Sequence, residues 1–471
     1  MQRPPRGYLL LLGIVFGAIF LMVLGSLASF VLTTNKAQTA STDRAKAFSI
    51  AEAGLEYYRW FLAHNPGDLT NGTGNPGPYA IPYEDPESDV AGTYTLDIQG
   101  NTSCGQVTSI DIDSTGQPSG STVNRTLTVR YTRPTVALYS YVLNDSVWAG
   151  ADRVINGPYH SNGGIHMDGT ANAPVTSSVA TWSCTGSYGC SPTQTVAGVW
   201  GSGPNQTLWS FPVPQVDFAA ISADFGTLKA TAIASGAYLP RYSNGASNSS
   251  AYWRGYHLRF NADGTITVWR VTHATPLSNV PINSSDGSTD RILIQNEVAH
   301  STIALPAGCK LLFVEDHVWI EGTVGEKVTV VSANVANPGV ETNAYLRGNL
   351  VYGTTDGTDG LTLIAERNIL IAPDSPNNMT LNGIFIAQGG AFGRNLYACP
   401  SAYEPKGTLT IRGTTVSNRR TGTKWVNGCG GGNAAGYQTR IDAFDRQLAT
   451  DPPAFTPITS SDYQFVDWRE E

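Results

Sequence analysis

The sequence predicts a mostly β protein with one long N-terminal α-helix, in which a helical stalk and a small sheet precede a parallel β-helix-like domain. No charged side chain occurs between Arg6 and Lys36, which indicates one long apolar segment. Charged residues are only 14% of the chain and glycine reaches 50 residues, which favours turns over further long helices. Past Pro134, short runs rich in Val, Ile, Thr and Tyr recur between Gly, Asn and Asp turns, as in repeated strands.

The run from Tyr8 to Thr33 is long enough to cross a bilayer as a helix. About 20 apolar residues span the hydrocarbon core, whereas a cleaved secretory signal has an apolar region of only about 7–15 residues. Arg3 and Arg6 precede the run, so the positive-inside tendency keeps the N-terminus in the cytoplasm and exports the residues after Lys36. We therefore expect an anchor in the inner (cytoplasmic) membrane with an exported C-terminal domain.

The same helix is predicted to continue beyond the membrane, giving a transmembrane and stalk helix at 8–64. After the membrane segment it contains the single glycine Gly54, and no proline occurs before Pro66. Apolar residues beyond the membrane segment fall at three- and four-residue steps: Ala45, Phe48, Ala51, Leu55, Tyr58 and Leu62. This spacing predicts a stalk helix with one apolar face.

Two short segments carry a resemblance to a known family. Pro4-Pro5-Arg6-Gly7-Tyr8 resembles the prepilin leader of type IV pilins, and Ala51-Glu52-Ala53-Gly54-Leu55-Glu56 closely resembles a segment of PilX-like minor pilins. The resemblance implies a leader at 1–7, cut between Gly7 and Tyr8 by a prepilin peptidase. It also implies an inner-membrane assembly platform and other pilins as partners through the N-terminal helix. The filament-packing residues it implies are Leu12, Ala51, Glu52, Ala53, Gly54, Leu55 and Glu56.

Leu12 departs from the pilin pattern. Most pilins carry a glutamate at the fifth mature position, where its carboxylate is thought to neutralise the N-terminal amine of a neighbouring subunit. A subunit with leucine there still inserts into the membrane but lacks the buried ion pair that helps it dock. The resemblance to minor pilins and pseudopilins that lack this glutamate implies a priming or tip role, not that of the major repeating subunit.

The rest of the chain divides by composition and strand pattern. Residues 65–90 are crowded with Pro, Gly and Asn and are predicted to be a linker. Alternating apolar and polar runs at 91–134 predict a small antiparallel module, which resembles the sheet of a pilin fold. A β-solenoid is predicted at 135–450, with an insertion at about 180–290 and a C-terminal cap at 451–471.

The C-terminal part has a resemblance of its own, to uncharacterised β-solenoid domains attached to PilX-type stalks. That family brings no assigned activity, so it implies architecture alone. The segments that carry the resemblance are Gly436-Tyr437, Asp445-Arg446-Gln447-Leu448, Pro452-Pro453-Ala454-Phe455 and Trp468-Arg469-Glu470.

Six cysteines in an exported chain are compatible with disulfides. Spacing does not decide whether two of them, Cys104 and Cys309, are buried or paired. The net charge of −8 offers no broad basic face, so nucleic acid is not expected as a partner. The disulfides predicted from the sequence are Cys184 with Cys190 and Cys399 with Cys429.

The motif search predicts no catalytic residue, metal or cofactor. The sequence contains no HExxH, GxSxG, Walker loop or dinucleotide glycine motif. His160 and His166 are six residues apart across a glycine turn, a pattern more typical of hydrogen-bonded or solvent-facing histidines than of ligands. The aspartate-rich turns at 286–290 and 356–360 offer oxygen ligands for Ca²⁺, but plain polar turns are the more common interpretation.

The expected function is that of a non-enzymatic minor pilin or pseudopilin at or near the tip of a type IV filament. There it would present the solenoid domain for assembly priming or surface adhesion, with a surface glycan or a protein as receptor. Whether the filament is a pilus or a secretion pseudopilus stays open. Four tryptophans of the insertion are either contacts for such a receptor or a small core of their own: Trp182, Trp200, Trp209 and Trp253.

Two alternative functions remain. One is a membrane-anchored polysaccharide-active enzyme on a β-helix, for which Glu315, Asp316, Glu321 and Arg347 are candidate groups, although fold analogy alone does not establish such an activity. The other is a static envelope β-solenoid protein, anchored through an uncleaved helix.

Overall fold

The computed structural model describes residues 8–65, 67–84, 89–242, 254–284, 286–337 and 339–470. These residues form two compact units. The stalk unit comprises the described residues up to Gly100, together with Ile110–Tyr131 and the residues from Phe465 onward. The ladder unit comprises Asn101–Ser109 and Thr132–Gln464. The predicted fold class, mostly β with one long N-terminal helix, is confirmed.

The helices and strands are numbered along the chain. The helices are α1 Tyr8–His64, α2 Phe225–Ser235 and α3 Arg446–Thr450. The first strands are β1 Tyr79–Glu84, β2 Val90–Ser103, β3 Gln106–Pro118, β4 Arg125–Thr132, β5 Tyr141–Leu143, β6 Val147–Ala149, β7 Arg153–Asn156, β8 Tyr159–Ser161, β9 Ile165–Met167, β10 Thr170–Ala171, β11 Val175–Ser177, β12 Thr181–Cys184, β13 Gln194–Ala197, β14 Val199–Trp200, β15 Trp209–Ser210 and β16 Ala237–Leu239. The later strands are β17 Gly255–Phe260, β18 Thr265–Val280, β19 Thr289–Ala304, β20 Leu311–Val314, β21 His317–Val324, β22 Lys327–Ser332, β23 Ala344–Tyr352, β24 Gly360–Ala365, β25 Ile369–Ile371, β26 Met379–Ala387, β27 Phe392–Gly393, β28 Leu396–Tyr397, β29 Lys406–Ser417, β30 Lys424–Gly430, β31 Asn433–Ala443 and β32 Gln464–Glu470.

The stalk helix α1 passes through two environments without a break. Every residue from Tyr8 to Thr39 is exposed. Further along, one face is buried at steps of three and four residues. Of the six apolar positions that the sequence predicted, Ala51, Leu55, Tyr58 and Leu62 are buried, whereas Phe48 is half-buried and Ala45 is exposed. The buried positions are Ala47, Ile50, Ala51, Gly54, Leu55, Tyr58 and Leu62.

The stalk unit covers that face with a sheet of strand order β1-β2-β3-β4-β32. β1 pairs antiparallel with β2, and β3 antiparallel with β4. Buried residues alternate along the strands, among them Leu96, Ile112 and Val129, as expected when one face of an antiparallel sheet is covered. The tip of the β2–β3 hairpin, Asn101–Ser109, is grouped with the ladder unit.

The predicted linker at 65–90 needs a correction, because Tyr79–Glu84 within it forms strand β1. Pro82 lacks an N–H group and argued against a strand. β1 lies at the edge of the sheet, where a missing donor costs little. Residues 66 and 85–88 of the predicted linker lie outside the described residues.

The predicted C-terminal cap at 451–471 also needs a correction, because Gln464–Glu470 forms β32 beside β4 in the stalk unit. The aromatic ring of Phe465 packs edge-on against Tyr131, with centroids 4.4 Å apart. Trp468 packs against Phe48 of α1 in the same way, at 6.0 Å. Both partner residues lie more than 300 positions away in the sequence. No pattern within residues 464–470 therefore predicts β32.

Glycines allow α1 to approach the sheet closely. A Cβ atom on Gly116 of β3 would clash with the carbonyl oxygen of Ala47 and the amide nitrogen of Ala51. On the helix, a Cβ atom on Gly54 would clash with the hydroxyl of Ser114. That hydroxyl donates a hydrogen bond to the carbonyl oxygen of Ala51 at 2.7 Å. The backbones of α1 and β3 therefore approach each other more closely than larger residues at positions 54 and 116 would allow.

The ladder unit is built from short strands that pair in parallel. The longest ladder has the order β16-β20-β22-β24-β26-β29-β5-β8-β11-β15. A second ladder runs β17-β21-β23-β25-β27, a third runs β26-β29-β31-β7-β10, and a short one joins β6, β9 and β14. Neighbouring strands within each ladder thus pair in parallel, while the closed β-helix stays a prediction.

The core of the ladder unit contains apolar side chains repeated at equivalent positions. Phe313, Val331, Ile364, Ile386 and Val416 follow one another in register along the longest ladder, and all are buried. Such runs, apolar on both faces, are typical of parallel sheets. The spacing is irregular, with 22 residues between Ile364 and Ile386 but 33 between Val331 and Ile364.

The predicted insertion at about 180–290 is not a single insertion. Strands β14 to β17 of this range belong to the parallel ladders. Antiparallel pairing is confined to the β12–β13 hairpin and to β17, β18 and β19, and β19 continues to Ala304. The hairpin predicted at Asn261-Ala262-Asp263-Gly264 is present between β17 and β18. Trp253 lies outside the described residues.

All six cysteines are paired within the ladder unit. Cys184–Cys190 and Cys399–Cys429 are the pairs that the sequence predicted. The two cysteines that spacing left open form the third disulfide, Cys104–Cys309, which closes a loop of 205 residues. A disulfide restricts the unfolded chain more when its loop is longer, so this third pair is expected to stabilise the ladder unit most.

We expect Gly116→Ala to destabilise the stalk unit by about 1–3 kcal/mol, because backbone atoms of α1 occupy the space that the methyl group needs. Hydrogen exchange at residues 47–58 of the full-length protein in detergent would measure the loss. Gly186→Ala is the control, since no atom lies within 4 Å of the position of its Cβ. Equal protection in both variants would contradict the close approach.

Candidate membrane and filament interface

The exposed part of α1 is the most apolar surface of the described chain. The helix contains an 18-residue window of mean hydropathy 2.6, no part of which is buried, and it is long and apolar enough to cross a membrane. No charged residue occurs from Tyr8 to Asn35. A soluble protein rarely exposes a continuous apolar surface of this size, so lipid or other helices are expected around it.

Three hydroxyl groups in this segment are satisfied within the helix. Ser26 donates to the carbonyl oxygen of Val23, and Thr33 to that of Ser29, each at 2.8 Å. Thr34 donates in the same way to a carbonyl one turn earlier. Polar groups in hydrocarbon need internal partners, and these side chains have them without any contact outside α1.

Gly13 and Gly17 form a feature that reasoning from the sequence missed. They lie one turn apart on the exposed segment, and no atom lies within 4 Å of the position that a Cβ would take on either. The pattern Gly13-Ile14-Val15-Phe16-Gly17 is the GxxxG signal that lets two apolar helices approach closely, and it was visible in the sequence.

The residues implied for filament packing divide into two groups. Leu12 is 43% exposed, and Glu52 and Glu56 are exposed on the stalk. Ala51, Gly54 and Leu55 are buried within the stalk unit, and their role in filament packing stays a prediction. Apolar spacing shows that a helix face is covered, but it does not show whether the cover is the same chain or a neighbour.

The remaining residues of the two resemblance segments lie in different surroundings. Ala53 is half-buried. Glu56 forms an ion pair with Arg59 at 3.6 Å on the exposed side of the stalk. Tyr8, the first described residue, is 72% exposed, whereas Gly7 and the rest of the leader at 1–7 lie outside the described residues.

Glu315 and Asp316, the first two candidate groups of an enzyme, are held in structural hydrogen bonds. The carboxylate of Glu315 accepts from Lys229 Nζ at 2.6 Å and from the hydroxyl of Tyr238. That of Asp316 accepts from the backbone N–H of His317 at 2.9 Å. Both residues are buried, so neither carboxylate is presented to a substrate.

Glu321 and Arg347 are brought together beside a buried histidine. His257 Nδ1 lies 2.8 Å from Glu297 Oε2 and its Nε2 lies 3.2 Å from Glu321 Oε1. The contact with His257 holds the pKa of Glu321 below its ordinary value. Arg347 lies 3.9 Å from the carboxylate of Glu321 and 3.3 Å from that of Asp374. These groups are engaged with one another, and the absence of enzymatic activity stays a prediction.

The turn at 356–360 is closed by its own hydroxyl groups. Asp356 Oδ1 accepts from Thr358 Oγ1 at 2.6 Å, from Thr358 N at 3.0 Å and from Thr354 Oγ1 at 2.8 Å. These bonds, led by that of Thr358, lower the pKa of Asp356 to about 2. The oxygen atoms that a Ca²⁺ ion would need are therefore engaged in a polar turn.

The turn at 286–290 lines a polar cavity of about 450 Å³. Asp286 Oδ1 accepts from Arg367 at 2.5 Å and its Oδ2 from Asn368 at 3.0 Å. Asp290 Oδ2 accepts from Asn395 at 2.7 Å and from the hydroxyl of Tyr397 at 3.1 Å. Both carboxylates have protein donors, and the absence of a bound cation at this turn stays a prediction.

The histidines His160 and His166 are not brought together. His160 bonds to Thr176 and Asn162, whereas His166 lies near the sulfur atoms of Cys184 and Cys190. Because those two sulfur atoms form a disulfide, they provide no thiolate ligands for a metal ion.

Comparisons with known proteins assign no family. No protein-family model matches the chain, and no curated protein matches it. Among solved structures, the chain is similar to the competence-associated pilin ComZ from Thermus thermophilus, with 13% sequence identity, a TM-score of 0.32, and coverage of 91% of this chain and 98% of that one. A TM-score this low does not establish a shared fold, so this likeness adds no weight to a functional assignment.

We expect Asp290 to titrate near pH 6. Burial raises the pKa of its carboxyl group to about 6, although the hydrogen-bond donors around it act to lower that pKa. Between about pH 4 and pH 6 the folded protein keeps this proton and the unfolded chain loses it. Stability should therefore fall by about 3 kcal/mol as the pH rises through this window and then stay level. Carbon-13 NMR of the carboxyl groups and unfolding at each pH would measure both effects.

Asp290→Asn should remove this pH dependence, whereas Asp356→Asn, at an exposed turn, should leave it in place. A carboxyl titration of Asp290 near pH 4 would contradict the assignment.

Proposed function

We propose that this chain is a type IV pilin-like protein that is held in the cytoplasmic membrane by α1 and then packs α1 against the helices of other pilins in a filament. The observation that supports this most is the division of α1. Its apolar segment from Tyr8 onward is exposed, whereas its C-terminal face is buried on the sheet of the stalk unit. A helix fixed at one end and bare at the other can pass from lipid to a bundle of like helices without refolding.

The finer proposal is a minor pilin or pseudopilin at or near the filament tip. Leu12 supports it, because a leucine cannot form the ion pair by which a repeating subunit would dock. The size of the ladder unit, which includes Thr132–Gln464, also supports it, since a tip position requires no repeat of that unit along a lattice. The ladder unit would then serve assembly priming or adhesion to a surface glycan or protein.

The proposal includes processing by a prepilin peptidase and extraction by an inner-membrane assembly platform. Cleavage between Gly7 and Tyr8 would leave the whole of α1 on the mature protein. A secretory signal peptidase would instead remove the apolar segment and release the ladder unit, so the N-terminus of the native protein distinguishes the two routes.

We expect the protein isolated from the cell that produces it to begin at Tyr8. Mass spectrometry of the N-terminal peptide measures this directly. Gly7→Leu should leave residues 1–7 attached and remove the protein from the sheared filament fraction, whereas Gly13→Ala should be processed normally. A native N-terminus at Met1 or Gln2, or one beyond Thr33, would overturn the proposal.

We expect Gly17→Leu to weaken association of α1 with other pilins without affecting membrane insertion. Leucine is fully apolar, but its side chain fills the surface on which a second helix would approach. Cysteine cross-linking between α1 and co-expressed pilins in membranes would measure the loss, expected at about fivefold or more. Ala18→Leu adds similar volume to another face and is the matched control. Equal cross-linking in the two variants would contradict packing through Gly13 and Gly17.

A further inference from the structure

Three aromatic rings form a column in the ladder unit. β6, β9 and β14 pair in parallel so that Trp148, His166 and Trp200 occupy equivalent positions. The ring of Trp148 stacks on His166 with centroids 5.3 Å apart and planes 6° apart, and His166 lies 4.7 Å from Trp200. Because β6 is one of the two edge strands of this sheet, the indole of Trp148 forms one end of the column.

Hydrogen bonds fix the orientation of the end of the column. Asp168 Oδ2 accepts from Trp148 Nε1 at 2.9 Å and lies 3.1 Å from His166 Nε2. Asp168 Oδ1 is held in turn by the N–H and hydroxyl groups of Ser202, at 2.9 Å and 2.7 Å. The indole is thus held rigidly, which reduces the entropy lost when a ligand binds it.

The loop closed by the Cys184–Cys190 disulfide supports the same end of the column. The carbonyl oxygen of Tyr188 accepts from His166 Nδ1 at 2.5 Å, and that of Ser187 from Arg420 Nη2 at 2.6 Å. Gly189 lies so close to Trp148 that a Cβ atom there would press on the indole. The loop therefore positions both the indole of Trp148 and the guanidinium of Arg420.

Trp148 lines a cavity of about 60 Å³ whose walls carry an excess of positive charge. The cations in its lining are Arg153, Arg420, Lys424 and Arg440, and Asp152 is the carboxylate among them. Asp442 pairs with Arg153 at 2.6 Å, and Asp152 is shared by Arg440 at 2.9 Å and Lys424 at 3.2 Å. Asp168, whose carboxylate accepts from the indole of Trp148, is a third carboxylate beside the cavity, so four positive charges leave an excess of one.

Arg420 carries this uncompensated charge. Its side chain is half-buried and contacts the carbonyl oxygen of Ser187 and the ring of Tyr188, 4.7 Å away. Among the described residues it forms no ion pair. The chain as a whole has a net charge of −8, so a local positive excess beside a fixed indole marks a place where an anion would bind.

We propose that this cavity binds the carboxylate of an acidic polysaccharide, with the uronic-acid ring lying on the indole of Trp148. The cavity holds a small anionic group but not a sugar ring, so the ring must remain outside it, against the half-buried indole that lines the cavity. This inference rests on the adhesive role in the proposed function and names the class of its receptor.

The first experiment measures binding of oligogalacturonate to the full-length protein in detergent by isothermal titration calorimetry. Binding should weaken about tenfold when the carboxylates are methyl-esterified, and it should weaken as salt is raised. Equal binding of the ester, or no binding of the acid, would overturn the proposal. Acetate and sulfate are added as competitors, and complete displacement by either at low millimolar concentration would also overturn it, since the site would then recognise an anion without the sugar.

The second experiment separates the site from overall charge. Arg420→Gln should weaken oligogalacturonate binding about tenfold, whereas Arg419→Gln removes the same charge from an exposed neighbour outside the cavity lining and should change it less than about twofold. Lys424→Gln is the second site variant, and near-ultraviolet circular dichroism reports whether each protein is folded. Equal effects at Arg419 and Arg420 would contradict the site.

The third experiment tests the loop. Replacing Cys184 and Cys190 by serine together should weaken binding at least about threefold, because the carbonyl groups that orient His166 and Arg420 lose their closure. Unchanged binding would overturn the role of the loop. Sugar binding does not depend on how the N-terminus is processed. If the protein fails to bind the sugar, the prediction of cleavage before Tyr8 is unaffected. If that cleavage is not found, the prediction of sugar binding is unaffected.

Discussion

The close contact between α1 and the sheet of the stalk unit is the constraint on which the rest of the stalk depends. Gly116 and Gly54 remove the side chains that would hold helix and strand apart, and Ser114 then reaches the backbone of Ala51. Only at this distance are Leu55 and its neighbours on the same face covered. Because one end of α1 is fixed in this way, the exposed apolar end is a continuation of a rigid helix instead of a separate segment seeking its own fold.

The sequence was sufficient for the helix, its apolar segment and its buried face, because each depends on residues that are close along the chain. It does not show that Ala51, Gly54 and Leu55, which the resemblance assigns to filament packing, are covered by the sheet of the stalk unit. β1 and β32 were missed for a related reason. Their pairing partners, and not their own composition, make them strands, and Pro82 in β1 even argues the other way.

The order of the ladders is the part of the fold least accessible to sequence reasoning. Short parallel strands were predicted, yet β5 pairs with β29, so Val142 lies beside Val416 across most of the chain. Runs of Val, Ile and Leu fit many neighbours equally well and do not specify which strand comes next. The aromatic column was likewise not predictable from the sequence. Trp200 was noted as a candidate contact, but Trp148 and His166 join it only through the register of β6, β9 and β14.

The buried charges of the ladder unit show why Arg420 stands out. Arg394 is fully buried and is compensated by Glu404 at 3.0 Å and by the carbonyl oxygen of Ala372 at 2.5 Å. Arg153 is compensated by Asp442 in the same way. Burying a cation without such a partner costs several kcal/mol, which explains why these pairs are complete. Arg420 is only half-buried and keeps its charge without a carboxylate, at the rim of a cavity where water or a ligand can reach it. Arg153 and Arg394 are thus paired inside the fold, whereas Arg420 keeps its charge for an outside anion, as the proposed recognition site requires.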